Sequence, residues 1–73
     1  MTDSIIMIMS ETLGVSIDAN TSQSTCEKWD SLQHLHIVLA LEEFFDLSFE
    51  PEEIATMKDV ATIEQLIQQK IKR

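Results

Sequence analysis

The sequence predicts an all-α fold, a small four-helix bundle with a long loop between helices I and II and a short helix III. Apolar residues recur every three or four positions along three segments, which is the period of an amphipathic helix. The chain has one Gly, one Pro and no alternation typical of strands. Its 73 residues, 44% of them hydrophobic, suffice for one domain, 1–73.

Helix I is predicted over residues 3–13. Gly14 follows, where a left-handed residue commonly ends a helix, and Asp3 or Ser4 is expected to cap the start. The apolar residues of one face stand at i, i+3, i+4 and i+8: Ile5, Ile8, Met9 and Leu13.

Residues 15–29 form a long connection, and its middle, 20–25, is polar and rich in turn-forming residues. A loop of this length without structure is unusual in a compact domain. We therefore expect Val15 and Ile17 to hold its start against the core and Trp29 to hold its end.

Helix II is predicted over residues 31–46, with Asp30 as its N-cap. The Asp30 side chain is expected to accept the backbone N–H of residue 32 or 33, and Gln33 to reach back and complete a capping box. Ser31 then takes the first helical position, where its hydroxyl is not needed for capping and points outward. Because a helix N-terminus favours negative charge, this serine suits a phosphate-linked group.

Helix II carries two apolar stripes on nearly opposite sides. The stripe expected to face the core contains Ile37, Val38, Leu41, Phe44 and Phe45. The second, which we call the leucine row, contains Leu32, Leu35 and Leu39. A surface helix needs only one stripe, so the leucine row predicts a docking surface. The alternative is that the chain's own helices cover both sides.

A short helix III is predicted from Glu50-Pro51-Glu52-Glu53, with Pro at its first position and acids in its first turn. Ile54 and Met57 are expected to point inward. Helix IV is predicted over residues 59–71 with Asp59 as its cap. Its expected core stripe contains Val60, Ile63, Leu66, Ile67 and Ile71. Basic residues that complement its C-terminal dipole are Lys70, Lys72 and Arg73.

The formal net charge of −8 disfavours nucleic-acid binding, which needs clustered Lys and Arg, and favours basic protein surfaces as partners. Between Trp29 and Met57 there is no Lys or Arg but there are seven acids: Asp30, Glu42, Glu43, Asp46, Glu50, Glu52 and Glu53. These acids surround the leucine row, so a recognition role is expected. The predicted docking residues are Gln33, Leu35, His36, Leu39, Glu42, Glu43, Asp46, Glu52 and Glu53.

No metal site and no catalytic residue is expected. His34 and His36 stand two apart on helix II, so their side chains diverge by roughly 200° and cannot chelate one ion. His34 is expected to pack near the helix start, and His36 to lie on the outer face. Ser31 has no obvious base and no Gly-x-Ser-x-Gly elbow, which disfavours a serine hydrolase.

Cellular placement is predicted from absences in the sequence. Cys26 is the only cysteine, so no internal disulfide forms and a reducing cytoplasm is expected. The N-terminus lacks the basic region and cleavage site of a signal peptide. No stretch reaches membrane-spanning length, so no membrane partner is expected.

Asp30-Ser31-Leu32, followed by the apolar and acidic run 37–45, resembles the acyl carrier protein family, and the resemblance extends from about Ile5 to Ile67. In that family the serine of Asp-Ser-Leu is joined through a phosphodiester to 4′-phosphopantetheine, whose thiol carries acyl groups as thioesters. The resemblance implies a four-helix bundle of this type and a prosthetic arm on Ser31, flanked by Asp30 and Leu32. It also implies a phosphopantetheinyl transferase that uses coenzyme A, acyl-loading and acyl-transferring enzymes with basic docking surfaces, and a monomer that is not an enzyme.

The chain departs from the family pattern at three places. Lys28-Trp29 stands where the family often has glycine, which is expected to put a bulky aromatic ring beside the arm. Gln33 and His36 stand where acids are common, which favours a dedicated partner set in a specialised lipid or secondary-metabolite pathway over the general fatty-acid synthase enzymes. The core between helices I, II and IV could part to shelter an acyl chain, with Phe44 and Phe45 leaving less room than smaller residues would.

Alternatives remain within and outside this family. An aminoacyl or peptidyl carrier and a D-alanyl carrier would use the same arm for a different cargo. A plain acidic helical interaction module would bind partners through the leucine row and carry no modification at Ser31.

Overall fold

A computed structural model describes residues 2–71 of the chain, and within them the fold is all-helical, as the sequence predicts. Four α-helices follow in order, and one turn of 3-10 helix, Gln23–Thr25, interrupts the long connection. The α-helices are α1 Thr2–Leu13, α2 Ser31–Phe45, α3 Pro51–Thr56 and α4 Val60–Ile71. Lys72 and Arg73, predicted to complement the α4 dipole, lie outside the described residues.

The core draws one apolar face from each of α1, α2 and α4, and closes with anchors from the connections. Burying each large aliphatic side chain contributes about 1.5–3 kcal/mol, which offsets the entropy lost on folding. The buried side chains are Ile5, Ile8, Met9, Leu13, Ile17, Trp29, Ile37, Val38, Leu41, Phe49, Met57, Val60, Ile63 and Ile67. The predicted inward positions of the three long helices are thereby largely confirmed.

Most helix ends follow the predicted capping chemistry. The Asp59 carboxylate accepts the Thr62 backbone N–H at 2.7 Å, and this bond, with a second from the Thr62 hydroxyl, lowers the pKa of Asp59. Gly14 ends α1 with φ of 71°, and Asp46 ends α2 with φ of 55°. The cap predicted at Asp3 or Ser4 is wrong, because α1 already begins at Thr2 and contains both.

The long connection is held at both ends and in its middle. Ile17 and Trp29 are buried, with Val15 partly buried, which confirms their predicted anchoring. In the middle, the Gln23 N–H donates to the Lys58 carbonyl at 2.7 Å, and the Val60 N–H donates to the Thr21 carbonyl at 3.1 Å. The connection is therefore tied to the start of α4, a long-range pairing that local sequence patterns do not reveal.

Two residues predicted to face the core are exposed. Phe44 is 54% exposed and Ile71 is 49% exposed. Phe44 lies at the edge of the apolar arc of α2, and Phe45 takes the more inward place. The two rings pack in a T-shaped arrangement with their centroids 4.9 Å apart. Ile71 is the last residue of α4, one turn beyond the buried Ile67.

Candidate functional site

Ser31 is the first residue of α2, and its side chain is exposed. Asp30 precedes it in an extended conformation and caps the helix, its Oδ1 accepting the Gln33 N–H at 2.9 Å. Among residues 2–71, no hydrogen bond to the Ser31 hydroxyl is found. The division of labour predicted for the two side chains is confirmed: the aspartate caps the helix, and the serine hydroxyl is left accessible.

The capping box predicted at the start of α2 is only half formed. Gln33 does not reach back to the cap, because its Oε1 lies 3.2 Å from His36 Nδ1 on the outer face of the helix. Two predicted docking residues are thus paired with each other beside the leucine row. They present a polar edge without carboxylates there.

The expectation that the Trp29 ring lies beside an arm on Ser31 is wrong. Its side chain is only 2% exposed, and the indole Nε1–H donates to His34 Nδ1 at 2.8 Å. The indole and imidazole rings lie nearly parallel, with centroids 6.0 Å apart. The aromatic ring therefore points into the fold. Asp30, Ser31 and Leu32 remain exposed around the hydroxyl.

His34 packs near the helix start, as predicted, and it also joins three segments. Its Nδ1 accepts from Trp29, and its Nε2 lies 2.9 Å from the carbonyl oxygen of Ile54 in α3. Both ring nitrogens are thereby engaged, so this imidazole cannot act as a base toward Ser31. The link to α3 was missed by sequence reasoning, since nothing in the pattern pairs residues 20 positions apart.

The leucine row is exposed along its whole length. Leu32, Leu35 and Leu39 are 62%, 54% and 61% exposed. On the opposite side of α2, Ile37 and Leu41 are fully buried. The alternative in which the chain's own helices cover both sides is therefore wrong for the described part of the chain.

The predicted docking acids divide into two groups. Glu42 Oε2 accepts the Phe49 N–H at 2.9 Å and so holds the turn after α2. Glu53 Oε1 accepts the Glu50 N–H at 2.8 Å and pairs with Lys70 Nζ at 2.8 Å. The remaining acids of the set are exposed: Glu43, Asp46 and Glu52.

The interior predicted to take an acyl chain is closed in this structure. Ile5, Ile37 and Ile63, from three different helices, are all fully buried. An open groove of about 290 Å³ lies between α1 and α2, but it contains neither Ser31 nor its neighbours. Its lining residues are Ile8, Glu11, Thr12, Ala40, Glu43 and Phe44. Cargo burial would require the helices to separate, and it stays a prediction.

Residues 2–71 contain no cluster of three or more side chains able to ligate a metal ion. None of the described helices combines the length and apolar character needed to cross a bilayer. No protein-family model matches the chain, and no curated protein matches it either.

Proposed function

We propose that this chain is a carrier protein, in which Ser31 receives a 4′-phosphopantetheine arm from coenzyme A and partner enzymes load and remove acyl groups. One observation carries the proposal. The Ser31 hydroxyl is exposed at the first position of α2, within Asp30-Ser31-Leu32, and has no hydrogen bond to the part of the chain that the structure describes. Asp30 does the capping that a serine at a helix start often does.

The residues at this position fit a phosphate-linked group. The Ser31 Oγ would lose its proton and form the phosphodiester bond, while the diphosphate of coenzyme A breaks and adenosine 3′,5′-bisphosphate leaves. Asp30 and Leu32 lie on either side of this oxygen. The first backbone N–H groups of a helix have no partner inside the helix, and its dipole favours an anion at this end. When bound, the group would supply a thiol on a flexible arm that holds acyl chains as thioesters.

The surface beside Ser31 supports delivery to partner enzymes. The leucine row leads away from the serine along α2, and the exposed acids Glu43, Asp46 and Glu52 belong to the same strongly acidic half of the chain. Such a surface complements a partner that is apolar at the centre of its interface and basic at its rim. The Gln33–His36 pair brings no carboxylate to this face, which favours a dedicated partner set in a specialised lipid or secondary-metabolite pathway.

Catalysis in this proposal belongs to the partners. The transferase and the acyl-transferring enzymes make and break the bonds, while this chain presents the hydroxyl and the docking surface. We place the protein in the cytoplasm, because Cys26 is its single cysteine. We also propose that it acts as a monomer, as the resemblance to carrier proteins implies.

The proposal is tested by incubating the unmodified protein with coenzyme A and a phosphopantetheinyl transferase of broad specificity, and then measuring its intact mass. We expect a gain of one phosphopantetheine on the wild-type protein and on Ser48→Ala, which removes another exposed serine. Ser31→Ala should gain nothing. Absence of any gain on the wild-type protein would contradict the proposal.

A second candidate function is favoured by the exposed leucine row alone. An unmodified acidic interaction module would use Leu32, Leu35 and Leu39 in the same way but would leave Ser31 unmodified. The mass measurement separates the two functions. Aminoacyl, peptidyl and D-alanyl carriers would pass that test as well, and they differ from an acyl carrier in the cargo that their loading enzymes supply.

A further inference from the structure

Three segments meet at the imidazole of His34. Trp29, at the end of the long connection, donates its indole N–H to His34 Nδ1 at 2.8 Å. His34 Nε2 lies 2.9 Å from the carbonyl oxygen of Ile54 in α3. Ser31 lies between Trp29 and His34 in sequence, so this pair of hydrogen bonds encloses the start of α2.

The geometry defines the protonation state of this ring. An indole N–H can only donate a hydrogen bond, so His34 Nδ1 must be the acceptor. The carbonyl oxygen of Ile54 can only accept, so the hydrogen of the imidazole resides on Nε2. The arrangement therefore requires the neutral imidazole with its hydrogen on Nε2. A second proton would have to enter at Nδ1, where it would point at the indole N–H.

We propose that His34 is a proton-operated latch: the neutral ring joins the end of the long connection to α3, and protonation releases the Trp29 side of that link. Histidine is the side chain that ordinarily changes charge between about pH 5 and pH 8. An imidazolium offers two donors and no acceptor, so the indole N–H loses its hydrogen-bond acceptor. The Trp29 side chain is only 2% exposed, so water cannot readily replace that acceptor.

The helix on the far side of the latch is anchored independently of Trp29. α3 contains six residues; Ile54 is partly buried against the core, Met57 at the end of the helix is fully buried, and Glu53 pairs with Lys70. The charged ring still donates from Nε2 to the Ile54 carbonyl, so α3 keeps its bond to His34. The segment released on protonation is therefore the end of the long connection, at Trp29.

Charged groups on the elements around His34 are already placed. On its own helix, the Asp30 carboxylate caps the backbone and His36 lies outside beside Gln33. From α3, Glu53 binds Lys70 and the Glu50 N–H. Further along α2, Glu42 is partly buried and accepts the Phe49 N–H. The other charged groups on these elements and their flanks are exposed: Glu27, Lys28, Glu43, Asp46, Glu50, Glu52 and Lys58. The latch does not depend on the proposed carrier function, because it is complete in the unmodified chain.

The test uses the unmodified protein and its single tryptophan, Trp29. Its fluorescence is followed from about pH 8 to pH 5, the range in which histidine titrates. The wild-type protein should show a one-proton transition, because the imidazole in contact with the indole becomes charged. His36→Gln, which removes the exposed histidine of the same helix, should show the same transition.

His34→Gln is the decisive variant. A glutamine oxygen can accept from the indole and its amide can donate to Ile54, but the side chain does not titrate. We expect a folded protein at pH 8 whose tryptophan fluorescence no longer depends on pH in this range. A transition that persists in His34→Gln, or disappears in His36→Gln, would overturn the proposal.

A measurement on the wild-type protein covers the case in which His34→Gln does not fold. Nitrogen-15 NMR should show the His34 hydrogen on Nε2 at pH 8. Hydrogen-exchange protection of the Trp29 indole N–H should fall by about tenfold on going to pH 5, because this group loses its hydrogen bond to His34 Nδ1. Protection in α1 and in α3 should stay constant, because the charged ring still donates from Nε2 to Ile54. A hydrogen on Nδ1 at pH 8, or unchanged protection of the indole N–H, would contradict the latch.

Discussion

Both sides of α2 carry an apolar stripe in the sequence, but the inner stripe is largely buried in the fold and the outer stripe is exposed. Ile37 and Leu41 on the inner side are completely buried, whereas Leu32 and Leu39 on the outer side are more than 60% exposed. Packing against the chain's own helices explains the inner stripe apart from Phe44, which is exposed. The outer stripe stays mostly exposed after folding, and exposed apolar rows of this kind mark surfaces for interaction. The comparison separates residues that build the domain from residues available for partners.

The acidic residues of α2 and α3 likewise divide into some that hold the fold together and some that are exposed. Glu42 and Glu53 hold backbone N–H groups and a lysine, so they contribute to local structure. Glu43 and Glu52 differ from them by one position each and are exposed. Neighbouring acids that look alike in sequence therefore have different roles. Matched substitutions at these positions can test the comparison directly.

The largest expected effect is on the inner side of α2. Ile37→Ala should lower the free energy of unfolding by about 2–5 kcal/mol, because it leaves a cavity in the core. Leu39→Ala on the outer side should change it by no more than about 0.5 kcal/mol. Urea denaturation followed by circular dichroism measures both. Equal losses in the two variants would mean that the outer stripe is covered in solution.

The next effect concerns docking and rests on the proposed carrier function. Leu35→Ala should slow modification of Ser31 by about tenfold, equivalent to about 1.4 kcal/mol of lost interaction with the transferase. Met7→Ala removes an equally exposed apolar side chain from α1 and should leave the rate unchanged. Rates are measured by intact mass at limiting transferase. Unchanged modification of Leu35→Ala would show that this row is not the contact surface.

A smaller effect separates the two acids at the end of α2. Glu42→Ala should destabilise the fold by about 1 kcal/mol, because the Phe49 N–H loses its acceptor. Glu43→Ala should remain within about 0.5 kcal/mol of the wild-type stability. Thermal and urea unfolding of both variants provide the measurement. If Glu43→Ala were the more destabilising, the division of the acids would be wrong.

The smallest expected effect is the pH dependence contributed by Asp59. Hydrogen bonds from Thr62 lower its pKa below the usual 3.8 in the folded chain. The contribution of the Asp59 carboxylate to the free energy of unfolding is therefore fully present above the usual pKa and is lost as the pH falls through the lowered pKa. Asp59→Asn keeps a good N-cap and should leave stability at pH 7 within about 0.5 kcal/mol. Between pH 5 and pH 2, the free energy of unfolding of Asp59→Asn should fall less steeply with decreasing pH than that of the wild-type protein.

Much of the helix pattern could be predicted from local chemistry. The caps at Asp30 and Asp59, the left-handed Gly14 and the proline that opens α3 all act within a few residues of themselves. Sequence periodicity likewise identified most buried positions. It failed at Phe44 and Ile71, since a helical arc shows which side is apolar but not how far the neighbouring helices extend over it.

Contacts between distant segments could not be predicted in the same way. The hydrogen bond from the Trp29 indole to His34, the bond from His34 to Ile54 and the pairing of the long connection with the start of α4 join residues from different elements. The assignment of Glu42 and Glu53 to intramolecular bonds belongs to the same class. Charge and exposure alone suggested docking for every acid of the set.

By itself, the sequence determined the helical class, the helix ends and the placement of Ser31 directly after its capping aspartate, because these depend on periodicity and on hydrogen bonds between near neighbours. The tertiary structure alone decided which apolar stripe of α2 is buried, which acids are engaged and where the indole of Trp29 points. Those outcomes depend on which surfaces meet when the helices pack, and that information is distributed over the whole chain.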